Sequence, residues 1–253
     1  MSKIFEKEYE VHYYEVNSRL ESTITSIINY FSDIGTKQSE ELGVGIKYML
    51  EKEFTWVFYK YDIKVNKMPK YGEVLKIKTK PAGFKKFYAL RKYEILNNDN
   101  EKLVEGEAIF LLIDINKRRA IRIPNDQYIA YGVELEEDFK IDISKLESLT
   151  EEMYSKSFDT RHSDIDSNMH VNNVKYVEWA LETVPLDIDN NYDIKELIVV
   201  FQKECKYGAK IKSSCEIKEQ LKGEIIILHK IENEKGTQLT SLISKWIKRK
   251  NKN

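Results

Sequence analysis

One order of elements runs through this chain twice: a strand, an amphipathic helix, then a series of strands. In the first half, EYEVHYYEV at 8–16 reads as a strand, and Leu20, Ile24, Ile27, Ile28 and Phe31 recur at helical spacing. Ser18 and Glu21 stand at capping-box spacing, which predicts a helix from Ser18 to Phe31, with a short polar helical piece after Gly35 up to Leu42. Then Tyr61, Ile63 and Val65 alternate with Lys60, Asp62 and Lys64, and Leu75, Ile77 and Thr79 alternate with Lys76, Lys78 and Lys80. That period of two marks strands with one wet face. Strands at about 86–96 and 103–115 are joined by Asn97-Asn98-Asp99-Asn100, a turn whose residues tolerate left-handed backbone. AIFLLIDI, at 108–115, is apolar on both faces and is expected in the middle of a sheet.

The second half repeats the order, with a strand at 152–162, a helix at 172–184 and strands near 195–205, 210–218, 224–232 and 238–248. Lys70-Tyr71-Gly72 and Lys206-Tyr207-Gly208 each follow an apolar strand and lie 136 positions apart. The expectation is an α+β chain built from two copies of one unit, each a central helix wrapped by a curved antiparallel sheet. The boundaries read as 1–124 for the first unit, 125–150 for an acidic, weakly periodic linker (ELEEDF), and 151–253 for the second.

Composition narrows the class. Hydrophobic residues make up 42% and charged residues 33%, and 16 Tyr and 10 Phe against 10 Gly and 4 Pro favour strands over disorder. The start, MSKIFEKEYE, carries charges where a signal peptide needs its apolar region, so a cytoplasmic protein is expected. Cys205 and Cys215 by themselves make neither a disulfide framework nor a zinc site. The net charge of −1 conceals blocks of −4 (1–53), +8 (54–124), −12 (125–197) and +7 (198–253). Local basic surface is therefore expected on a nearly neutral protein.

Polar chemistry concentrates before the second helix. In DIDSNMHVNNVKYVEWALETVP, from Asp164 to Pro185, the helical part puts Val174, Val177, Ala180, Leu181 and Val184 on one face, and Pro185 ends it. Ahead of it stand Asp164, Asp166, Ser167, Asn168, His170, Asn172 and Asn173, more than a helix cap requires. His170 falls beside the positive end of the helix dipole, a setting that suits a neutral imidazole base. Asn168 adds an amide that can orient a carbonyl or hold a water.

These residues resemble the acyl-acyl carrier protein thioesterases, whose D-x-N-x-H-V-N-N run opens the central helix of a hotdog domain. Asp166, Asn168, His170, Val171, Asn172 and Asn173 all match, and Glu204-Cys205 in FQKECKYG resembles the family's catalytic strand. The likeness extends to the first half, so tandem hotdog domains are implied. Plant members carry a targeting extension that is missing here, and the chain looks like a bacterial-type member. The resemblance implies hydrolysis of fatty acyl-acyl carrier protein thioesters without metal or organic cofactor. His170 would be the base, Glu204 the carboxylate that orients it and raises its basicity or polarises the water, Asn168 the donor to carbonyl or water, and Asp166 a support behind them. Cys205 competes as a nucleophile, but successive strand residues face opposite ways, so Glu204 and Cys205 cannot both aim at His170 without a bulge.

The first half offers only Asn17 where the second has DIDSNMH, and Met68 stands opposite Glu204 at the same offset. One active site per chain follows, with the first unit shaping an acyl-chain tunnel. An acidic carrier protein needs a basic docking surface, for which Lys76, Lys78, Lys80, Lys85, Lys86, Arg91, Lys92, Arg118, Arg119 and Lys248-Arg249-Lys250 are the candidates. A homodimer is compatible with the sequence, no membrane span or nucleic-acid partner is expected, and acyl chain length stays open. The rival readings are an acyl-coenzyme A thioesterase and a non-catalytic acyl-binding regulator.

Overall fold

The computed structural model describes residues 2–134, 141–220 and 223–249. It divides into two compact units, Met1–Ile143 and Ser144–Asn253, each with its own helix and antiparallel sheet.

In the first unit, β1 (Phe5–Glu10) is shorter than the expected strand. The Glu15 carboxylate accepts the His12 N–H (2.7 Å) and closes a 3-10 turn over Tyr13–Glu15. The helix α1 (Ile24–Glu41) also starts later than Ser18, because Thr23 is the residue that caps it, accepting the Ser26 N–H at 3.1 Å. It runs straight through Gly35. A mid-helix glycine costs about 1 kcal/mol, and the buried row of Ile27, Ile28, Phe31, Ile34 and Gln38 offsets that by packing. After α2 (Ile46–Glu51) come β2 (Phe54–Val65), β3 (Val74–Lys85), β4 (Tyr88–Leu96), β5 (Lys102–Asp114) and the short β6 (Arg119–Ala120). Their order is β1-β3-β4-β5-β2, with β6 beside β5, so the doubly apolar β5 lies inside the sheet as its sequence requires.

Phe31 of α1 stacks on Tyr93 of β4 at 4.4 Å and lies over Gly106, where a Cβ would come within 2.5 Å of the ring. A last helix, α3 (Asn125–Tyr131), packs Tyr131 into the same core as Phe84 and Leu112. The stretch expected as a linker thus begins inside the first unit. Within ELEEDF, residues 135–139 lie outside the described residues.

The second unit contains β7 (Tyr154–Asp159), α4 (Asn173–Leu181), α5 (Leu186–Asn191), β8 (Tyr192–Phe201), β9 (Lys210–Gln220), β10 (Glu224–Asn233) and β11 (Gln238–Lys248). Strand order is β7-β9-β10-β11-β8, the same path as in the first unit, so the chain is a tandem α+β hotdog. α4 ends at Leu181 with Glu182 as its C-cap, short of the expected 184, and Pro185 starts α5, a helix whose sequence, LDIDNN, buries only Ile188 and so lacks an apolar stripe to read.

Two residues expected on a basic surface are committed elsewhere. Arg91 is buried in the first unit, because its β4 position faces inward. Arg249 donates to the Asp193 carboxylate (2.7 Å) and to the carbonyls of Asn190 and Tyr192 (2.9 Å each) near the end of α5. Lys250 lies outside the described residues.

In the second core, His229 of β10 is buried with Nε2 2.8 Å from Ser244 Oγ, which also accepts the Trp246 indole N–H at 2.8 Å. Burial lowers the imidazole pKa from 6.5 to about 4. Above pH 6.5 the group is neutral in both states; between 6.5 and 4 the unfolded chain binds a proton that the native one refuses. Stability is therefore expected to fall by ~3 kcal/mol as pH drops through that window, at about 1.4 kcal/mol per unit. Denaturant unfolding of wild type and His229→Gln at pH 7 and 4.5 checks this, the variant having the flatter profile.

Candidate active site

The polar run before α4 folds as a closed turn held from behind. Asp164 is buried, and its carboxylate accepts the Arg161 backbone N–H (2.8 Å), Nη2 (3.0 Å) and Nε (3.3 Å). Burial would raise its pKa, but the Arg161 hydrogen bonds and charge outweigh that and hold it below the ordinary carboxylate value. The Asp164 carbonyl then accepts the Asn172 N–H at 2.8 Å, where the helix starts. Asn172 caps α4 by accepting the Val174 N–H at 3.0 Å, and Asn173 is the first helical residue.

Inside that frame, Asp166 donates its N–H to the His170 carbonyl (2.8 Å) and accepts the Met169 N–H on its own carbonyl (3.0 Å). Its side chain accepts the Asn168 N–H at 2.8 Å. Met169 takes φ +63°, a left-handed conformation that a non-glycine residue keeps only where its surroundings enforce it. The Asn168 side chain is exposed, and among the described residues no hydrogen bond engages its amide.

Glu204 reaches this turn through the backbone. Residues 202–206 lie beyond the end of β8, a shorter strand than the expected 195–205. There the Cys205 carbonyl accepts the Val171 N–H at 2.9 Å. The residues before each partner in this bond are His170 and Glu204, and their side chains meet with Nε2 3.3 Å from Oε2. His170 is 16% exposed and Glu204 42%, so the pair is worth little to stability and its consequence is orientation of the imidazole. Cys205 faces the other way. It is buried, its thiol directed at the Lys206 carbonyl (3.7 Å), and burial pushes its pKa up, away from the thiolate.

Of the residues singled out from sequence, the structure brings His170 and Glu204 together, uses Asp166 to close the turn, leaves Asn168 open to solvent and turns Cys205 inward. Sequence reasoning missed Arg161, whose signal was present: it stands three residues before Asp164, as His12 stands before Glu15. Among the described residues, no group of three or more His, Cys, Asp or Glu side chains is arranged to hold a metal ion.

The first unit carries the same backbone turn with different side chains. There Asn17 donates its N–H to the Glu21 carbonyl (2.8 Å), Asn17 Oδ1 accepts the Arg19 N–H (2.9 Å), and the Ser22 N–H meets the Pro69 carbonyl (2.7 Å). Leu20, at φ +58°, matches Met169. In this copy Glu21 replaces His170, Arg19 replaces Asn168 and Met68 replaces Glu204, and Arg19 Nε pairs with Glu21 at 3.1 Å instead.

Asp164→Ala is expected to destabilise the second unit by ~1–3 kcal/mol, since it strands the Arg161 amide and unties the turn. Because the folded carboxylate has a lowered pKa, its contribution is present above the ordinary value of about 4 and fades below it. Urea unfolding at neutral pH and at low pH checks both statements: the variant and wild type should converge in acid.

The chain is similar to known proteins in fold and in sequence. A putative oleoyl thioesterase from Lactobacillus plantarum superposes with a TM-score of 0.94 at 22% identity, covering 99% of this chain and 98% of that one. The 12:0-ACP thioesterase from Umbellularia californica gives a TM-score of 0.85 at 21% identity, over 97% of this chain and 94% of that one. Both share the fold. A chloroplastic acyl-[acyl-carrier-protein] hydrolase of Cuphea viscosissima is 23% identical over 257 residues, 96% of this chain, which spans 62% of that protein's length. Residues 2–131 match the acyl-ACP thioesterase N-terminal domain and residues 147–248 the C-terminal domain. The chain belongs to the acyl-ACP thioesterase family.

Proposed function

We propose that this protein hydrolyses fatty acyl-acyl carrier protein thioesters to fatty acid and free carrier protein, at a site formed by His170, Glu204 and Asn168 with Asp166 holding the turn. The observation that carries the reading is the 3.3 Å approach of His170 Nε2 to Glu204 Oε2 in a chain of this family. With its Nε2 proton directed at Glu204, His170 keeps Nδ1 as the basic nitrogen. Nδ1 takes a proton from water as the water oxygen attacks the thioester carbon. The Asn168 amide donates to the carbonyl oxygen as that oxygen turns anionic. Collapse breaks the C–S bond, and the leaving thiolate of the carrier's phosphopantetheine takes the proton back from the imidazolium. General base assistance is worth roughly 10²–10⁴-fold and one oxyanion donor roughly 10²–10³.

The first unit has Glu21 and Met68 where the second has His170 and Glu204, and it holds a cavity, which supports its role as the acyl-binding unit. A cavity of about 150 Å³, lined by Trp56, Phe58, Phe84 and Phe110 among others, opens between its helices and sheet. That is about the space that holds a benzene ring. For the carrier, Lys76, Lys78 and Lys80 share the outward face of β3, although Lys78 is paired with Glu6 at 3.6 Å. Arg118 and Arg119 are exposed. Among the described residues no helix is long and apolar enough to cross a membrane, and a cytoplasmic setting suits this partner.

The test is hydrolysis of a panel of carrier-protein and coenzyme A thioesters. The carrier-linked substrates are expected to have the higher kcat/KM, falling several-fold between low and roughly 0.5 M salt, while a small neutral thioester barely changes. Better turnover of coenzyme A thioesters would promote that substrate class, and absence of all hydrolysis would leave a non-catalytic acyl-binding protein. His170→Ala, Asn168→Ala and Glu204→Ala are each expected to lower kcat by about two orders of magnitude or more with the fold intact by circular dichroism. Cys205→Ala should keep most of the activity, and a trapped acyl-cysteine would reverse the roles of Cys205 and Glu204.

A further inference from the structure

The first-unit cavity is apolar except at one corner. The hydroxyls that α1 presents there are already engaged: Ser32 donates to the Ile28 carbonyl (2.9 Å), Thr36 to the Ser32 carbonyl (2.9 Å), and Ser39 Oγ meets Tyr131 Oη at 2.7 Å. Arg91 and Tyr93 are different. Arg91 is 8% exposed, and its Nη1 donates to Gln38 Oε1 and to Thr79 Oγ1 (3.1 Å). Gln38 is fixed in that orientation because its amide nitrogen donates to the Lys3 carbonyl at 2.8 Å. The guanidinium carbon lies 5.4 Å from the Tyr131 ring centroid. Among the described residues no carboxylate pairs with Arg91, and the cavity has no acidic lining residue. The Tyr93 hydroxyl is buried without a hydrogen-bond partner. Gly35 lines this corner, where a Cβ would sit in ordinary van der Waals contact with Tyr93 Oη (3.4 Å) and Arg91 Cδ (3.8 Å).

A guanidinium is rarely buried without a counter-charge, and among the described residues only the N–H groups on Nη1 have protein acceptors. Planar N–H pairs match a carboxylate in bidentate fashion, and a neutral phenol can donate to a remaining lone pair. Building on the reading that this cavity takes the acyl chain, we propose that it selects chains carrying an oxygen acceptor remote from the thioester, a terminal carboxylate above all, over plain hydrocarbon. The aromatic walls take the methylenes, and Arg91 with Tyr93 takes the oxygen function.

The test uses pantetheine thioesters of matched length that end in a methyl, a hydroxyl or a carboxylate, over a series of lengths, with both hydrolysis and calorimetric binding measured. At the best length, the wild-type protein is expected to favour the carboxylate-ended chain at least tenfold in kcat/KM or Kd, with the hydroxyl intermediate. Arg91→Met should abolish that order and Arg91→Lys retain part of it. Equal or better use of the methyl-ended chain by wild type overturns the proposal, and this ranking decides the matter even if Arg91→Met does not fold. If nothing is hydrolysed, the proposed reaction fails, while the binding order still judges the cavity.

Discussion

The meeting of His170 and Glu204 hangs on one backbone hydrogen bond, from the Val171 N–H to the Cys205 carbonyl. It joins two stretches that lie far apart in sequence and have no regular pairing with each other. Because the bond fixes which backbone atoms are adjacent, it also fixes which side chains are: those of His170 and Glu204 on one side, with Cys205 turned into the core. A half-exposed His–Glu contact could not impose this alignment by its own energy, which is at most about 1 kcal/mol. Alignment is set by covalent geometry and this one hydrogen bond, and the ionisable pair inherits it.

The same frame recurs in the first unit, and the comparison separates what the backbone needs from what differs between the copies. Left-handed residues at Leu20 and Met169 and matching amide-to-carbonyl bonds are common to both turns. His170, Asn168 and Glu204 belong to one copy, and Glu21, Arg19 and Met68 stand in the other. The turn is therefore a structural device for starting the central helix, and in the second unit it also carries His170 to Glu204. In the first, α1 is longer and a cavity lies between helix and sheet.

Buried charge divides by function as well. Asp164 is fully satisfied by Arg161 and backbone, as expected of a carboxylate whose task is to hold a loop. Arg91 is held by neutral groups and keeps donors to spare. A buried cation left short of an anion is costly to stability, and the cavity beside it gives that cost a use.

Much of the fold was legible in the residues alone. Alternation at Tyr61, Ile63 and Val65 and the double apolarity of 108–115 encode which faces are buried, and the repeated element order encodes the duplication, because these patterns depend only on local period and burial. The D-x-N-x-H run likewise pointed to the turn where His170 approaches Glu204, since its polar density exceeds what a cap uses. Local signals misjudged the ends of elements: Ser18 looked like a cap, yet Thr23 does the capping because residues 17–22 are held in a turn by contacts with Pro69 and Glu21. They could not show that Asn125–Tyr131 packs into the first core, or that Arg91, one more cation in a basic segment, is buried. The choice between Glu204 and Cys205 as the partner of His170 also needed three dimensions: adjacent residues differ only in the direction they face, and that direction is set by a hydrogen bond to a residue remote in sequence.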